Sequence, residues 1–230
     1  MKSAFLISLL VIGCTVQGEM TSKPATEGTA ALRYLALGDS YTIGESVDPV
    51  DRWPVQLAAA LRSKGQRIDE PEIIARTGWT TDELDSAITK AAPSGTYDLV
   101  TLLIGVNNQY RGRGIGEYQI QFRALLDRAI HFAGGKASHV VVVSIPDWGA
   151  TPFAAGRDAG KIGREIDSFN NIARGEVMTA GAHFVDITPI SRRAHTEPAL
   201  VAHDKLHPSG EMYRAWIPVI LPAALDALRK

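Results

Sequence analysis

Four successive valines, Val140 to Val143, leave a strand built from them with no polar face, so such a strand must be covered on both sides. Amphipathic helical stretches flank this run. Between 117 and 133, Tyr118, Phe122, Leu125, Leu126, Ala129, Ile130 and Ala133 fall on one stripe. Between 160 and 180, Ile162, Ile166, Phe169, Ile172, Ala173, Val177 and Ala180 do the same. Five strands read at 33–37, 72–76, 98–104, 139–145 and 183–187, alternating with helices at 52–64, 80–91, 117–133, 160–180 and 209–228. That alternation argues for an α/β fold with a parallel sheet, helices on both faces and right-handed crossovers. Ser209, directly after His207-Pro208, is positioned to cap the last helix, and Pro218 and Pro222 predict that this helix kinks or splits into two shorter pieces.

In such a sheet, ligands bind beyond the C-terminal strand edge. Ser40 lies there, two residues after the glycine that ends Leu35-Ala36-Leu37-Gly38. Gly78 follows the apolar run Ile73-Ile74-Ala75, and Asn107 follows Leu99 to Ile104, which puts both on the same edge. Downstream, Asp204 and His207 offer a carboxylate and an imidazole three residues apart. A serine, a base and an acid that orients the base are the minimum parts of an activated nucleophile. The N–H groups of Ser40 and Gly78 and the amide of Asn107 are candidate donors to a developing oxyanion. Each residue also has a plainer reading. Ser40 reads as a turn serine capping a helix, Gly78 as a glycine needed for positive φ, Asn107 as a strand-end loop residue, and Asp204 with His207 as a capping loop.

Taken together, Ser40, Gly78, Asn107 and His207 resemble the SGNH (GDSL-type) hydrolases in residue type and chain order, over about Tyr34 to the C-terminus. The resemblance implies a three-layer α/β/α, flavodoxin-like sandwich with a five-stranded parallel sheet. It also implies a Ser40–His207–Asp204 mechanism without a cofactor, and an oxyanion hole from Ser40, Gly78 and Asn107. Asn108 stands where many members have Asp, and Tyr41 replaces the Leu of the name-giving motif. The Gly-x-Ser-x-Gly elbow of α/β-hydrolases is absent, because Thr42 occupies its second glycine. His203 with His207 is the one histidine pair at a metal-ligand spacing, but no His-Glu-x-x-His motif or cysteine pair completes a site, so no metal is expected. Neither Gly112–Gly116 nor Gly156–Lys161 has the spacing of a nucleotide-binding loop.

The length of 230 residues suits one domain after a leader. Lys2 followed by the apolar Ala4–Ile12 predicts a signal peptide over 1–13. The following Cys14, the only cysteine, sits in Val11-Ile12-Gly13-Cys14, which resembles a bacterial lipobox. Residues 14–31 then read as a lipidated cysteine and flexible tether, and 32–230 as the catalytic domain. The expected location is the bacterial cell envelope, as a lipoprotein, with a soluble periplasmic or secreted protein as the alternative. A net charge of -1 gives no case for nucleic acid, and the apolar runs are too short to span a bilayer.

The reaction expected is hydrolysis of a carboxylic ester with a short or medium acyl chain, or of a lysophospholipid. A carbohydrate O-acetyl esterase and a non-catalytic envelope binding domain are the alternatives. Trp79, Tyr110, Trp148 and Phe153 are candidate pocket walls, Arg111 and Arg113 candidate contacts to an anionic substrate, and Asp147 a candidate supporting group.

Overall fold

The computed structural model describes Met1 and residues 30–229. The signal peptide, Cys14 and nearly all of the tether lie outside the described residues. In chain order the elements are β1 (Tyr34–Gly38), α1 (Ser40–Ile43), α2 (Trp53–Ser63), β2 (Glu72–Ala75), α3 (Thr81–Ala91), β3 (Leu99–Leu103), α4 (Val106–Tyr110), α5 (Ile115–Phe132), β4 (Val140–Val143), α6 (Ala159–Ala180), β5 (His183–Val185), α7 (Thr188–Ser191) and α8 (Gly210–Ala227), joined by turns and short 3-10 segments.

All four strand pairings are parallel, in the order β2-β1-β3-β4-β5. The three central strands are buried at every residue, as their almost wholly apolar character requires, and the one hydroxyl of β3, on Thr101, bonds the Tyr34 hydroxyl. Helices α2 and α8 pack together on one face, where Trp53 and Trp216 are closed off from solvent. The α3–α5–α6 row covers the other face. The three-layer sandwich expected from the sequence is therefore present. Its chain order reverses between β1 and β3, which opens a crevice beyond their C-terminal ends.

Helix α8 departs from expectation. It runs unbroken from Gly210 to Ala227 through Pro218 and Pro222. Arg214, Pro218 and Pro222 all lie on its exposed face, so the carbonyls of Arg214 and Pro218, which the two prolines leave without an N–H partner, can turn to water. Its N-terminus is as the sequence predicts: Ser209 Oγ accepts the Met212 N–H.

Candidate active site

Strand β1 must end in glycine. A Cβ on Gly38 would stand 2.5 Å from the Leu103 carbonyl oxygen and would overlap the Thr42 side chain. The chain then turns through Asp39, whose carboxylate caps α1 by accepting the Tyr41 N–H. Ser40 thus becomes the first residue of a one-turn helix at the β1 edge, largely buried. Gly105, just past β3, opens α4 at φ 130°, where a side chain would meet the Tyr118 ring at 2.7 Å, and α4 carries Asn107 to the same edge.

The loop before α8 brings the remaining groups. Lys205, at φ 66°, closes a tight turn in which Asp204 Oδ1 accepts the N–H groups of Leu206 and His207, each at 2.9 Å. Asp204 Oδ2 accepts His207 Nδ1–H at 2.6 Å and the Ser46 hydroxyl at 2.7 Å. Burial pushes the Asp204 carboxyl up, but the hydrogen bonds from His207, the two N–H groups and Ser46 outweigh it and hold the group well below the usual carboxylate range. With Nδ1 committed to Asp204, Nε2 is the free, basic edge of the ring.

Ser40, Asn107 and His207 line one cleft of about 180 Å³ with Tyr41, Val106, Tyr110, Trp148, Phe153 and Leu206. Ser40 Oγ makes no hydrogen bond to another described side chain, an arrangement common before substrate tightens a site. Asn107 Nδ2 donates to the Trp79 carbonyl at 2.9 Å, which occupies one of its two N–H groups. Gly78 flanks the cleft rather than lining it, and its φ of 88° accounts for the glycine. Its carbonyl accepts from Arg111 Nη2 at 2.6 Å.

Other expected site residues fall into different places. Tyr110, Trp148 and Phe153 line the cleft, whereas Trp79 contributes only its carbonyl. Arg111 pairs with Glu83, and Arg113 with Asp82 and Glu117, so both charges are met within the fold. Asp147 is tied to Arg192 at 2.9 Å and caps the Gly149 N–H. Asn108, at the family's Asp position, is buried and bonds Thr81 through both amide atoms, fixing the start of α3.

Three neighbours of the cleft take places that the sequence did not show. The Tyr41 ring packs edge-on to His207. Gln109 anchors the Trp148 indole N–H at 2.8 Å. The Arg157 guanidinium caps Tyr110, Trp148 and Phe153, between 5.1 and 5.4 Å from each ring centre. Among the described residues no cluster of three or more His, Cys, Asp or Glu could hold a metal, and no helix is long and apolar enough to cross a membrane.

The profile of the GDSL-like Lipase/Acylhydrolase family matches residues 36–215. No curated protein matches the chain. Among solved structures, TesA is 16% identical at a TM-score of 0.66, covering 85% of this chain and 99% of its own. Axe2, an acetylxylan esterase from Geobacillus stearothermophilus, is 16% identical at a TM-score of 0.64, covering 84% and 94%. EstA, a psychrotrophic esterase from Pseudoalteromonas sp. solved inhibited by monoethylphosphonate, is 17% identical at 0.57, covering 85% and 96%. At these identities the likeness is one of fold.

Proposed function

The chain belongs to the GDSL-like lipase/acylhydrolase family, and from that premise we propose that it is a serine esterase acting through an acyl-enzyme on Ser40. The observation that carries the reading is the Asp204–His207 pair, joined at 2.6 Å, with His207 lining the same cleft as Ser40. His207 Nε2 takes the Ser40 proton as Oγ attacks the ester carbonyl, and Asp204 stabilises the imidazolium that forms. The oxyanion is met by the N–H groups of Ser40 and Gly78 and the second N–H of Asn107. The protonated His207 gives its proton to the leaving alkoxide, then activates the water that releases the acid.

The cleft is small and mostly apolar or aromatic, which favours short or medium acyl chains, a lysophospholipid being the larger substrate to try. A second reading, a carbohydrate O-acetyl esterase, is favoured by the exposed rings of Tyr110 and Phe153, surfaces on which a sugar can stack. Attachment to the bacterial envelope through a lipidated Cys14 belongs to the same proposal, motivated by the lipobox-like leader.

One set of full-length proteins tests these points: wild type, Ser40→Ala and Cys14→Ser, assayed on p-nitrophenyl esters from acetyl to palmitoyl. Hydrolysis lost in Ser40→Ala is expected; equal rates in both proteins would remove Ser40 as nucleophile and leave a binding domain. A strict acetyl preference selects the deacetylase reading. Partitioning into detergent that survives in Cys14→Ser excludes the anchor.

A further inference from the structure

The segment that follows the nucleophile is bonded to both neighbouring loops. Helix α1 ends at Gly44, in the left-handed region, and its N–H returns to the Ser40 carbonyl. The Glu45 N–H bonds to the same carbonyl. Beyond this corner, the Glu45 carboxylate accepts the Thr77 hydroxyl, one residue before Gly78. On the other side Ser46 Oγ donates to Asp204 Oδ2 at 2.7 Å, across 158 positions of sequence. Among the described residues this is the only hydrogen bond joining the 39–46 segment to the 201–208 loop.

Ser46 also holds an unusual backbone. Its φ of 66° is a region that non-glycine residues seldom occupy and that costs stability. Glycine would relieve that cost. Serine in its place delivers a hydroxyl to an oxygen that already accepts His207 Nδ1–H, and so completes two hydrogen bonds on each oxygen of Asp204.

Resting on the Ser40–His207–Asp204 reading, we infer that Ser46 is a positioning residue for the reaction. It ties the nucleophile's segment to the loop of the base and tempers the charge that Asp204 presents to His207. The hydroxyl proton of Ser46 points at the oxygen that faces the imidazole. It therefore draws charge from that oxygen and opposes formation of the imidazolium. Without it Asp204 favours the imidazolium more strongly, the base is protonated up to a higher pH, and the acid limb of kcat/KM moves upward. The tie between the segments is lost as well, so kcat falls while KM changes little.

The test compares Ser46→Gly with Ser46→Ala in the full chain. Both lack the hydroxyl, but only alanine keeps the backbone cost. Expected in both is a kcat reduced roughly tenfold and an acid limb raised by about 0.5 pH unit. The His207 Nδ1–H proton resonance should move in both, while Tm falls only in Ser46→Ala. A Ser46→Gly enzyme with wild-type kcat, acid limb and Nδ1–H resonance overturns the inference, as do losses that simply follow Tm. The Nδ1–H resonance needs no substrate, so it reads Ser46 even if the esterase reading fails. That failure has its own signature, hydrolysis that persists in Ser40→Ala.

Discussion

Tyr41 meets His207 edge to face, with ring centres 5.5 Å apart and planes inclined at 60°. The residue after Ser40 thus walls the His207 imidazole, and Tyr41 is almost fully buried there. Replacing it by alanine opens a void beneath the imidazole. Tyr41→Ala is expected to lose on the order of 3 kcal/mol of stability in denaturant titrations, and to lose kcat as the ring gains freedom. Tyr41→Phe keeps the ring and should stay close to wild type on both measures. Equal damage from both variants would shift the role from the ring to the hydroxyl.

Asn107 lines the cleft and gives one amide N–H to the Trp79 carbonyl. If the second N–H meets the oxyanion, Asn107→Ala should lower kcat by roughly 100- to 1,000-fold. KM should move much less, because the donor is needed most at the tetrahedral stage. Steady-state kinetics beside a circular dichroism melt would check this; a loss under about fivefold in a folded variant would remove Asn107 from the oxyanion hole.

Asp39 is buried beside Ser40, with one carboxylate oxygen on the Tyr41 N–H and the other without a partner. Burial raises its pKa to about 7, against an unfolded value of about 3.9. Between these values the unfolded chain has released the proton that the folded chain retains. This group therefore lowers stability as pH rises from about 4 to about 7, by up to about 1.4 kcal/mol per unit, and contributes no further change above that. Asp39→Asn keeps the capping oxygen and removes the titration. Its stability relative to wild type should climb over that interval in unfolding measurements; a constant difference would mean that Asp39 is not protonated in the fold.

The layers of this fold were legible because they rest on local pattern. Val140–Val143 dictates a doubly covered strand, and the stripes of α5 and α6 mark their buried faces. The strand ends placed Ser40 and Asn107 on one cleft for the same reason, although Gly78 lies beside it and His207 arrives on the loop before α8. Features set by tertiary proximity were not legible. A serine at positive φ looks like any other serine, so Ser46 passed unremarked. Arg111 and Arg113 resembled open cations until the acids of α3 and α5 came alongside. Pro218 and Pro222 signalled a break because sequence alone did not show that both would face water.

The aromatic wall has an optical consequence. Trp148 is only 4% exposed, its indole N–H is held by Gln109, and its ring sits in the cleft under the Arg157 guanidinium. Of the four tryptophans, Trp53 and Trp216 lie deep between α2 and α8, and Trp79 does not line the cleft. An occupant of the cleft would therefore change the surroundings of the Trp148 indole directly, with the fully buried Trp53 and Trp216 as a steady background. The enzyme carries its own fluorescent gauge of occupancy, readable before any bond is broken.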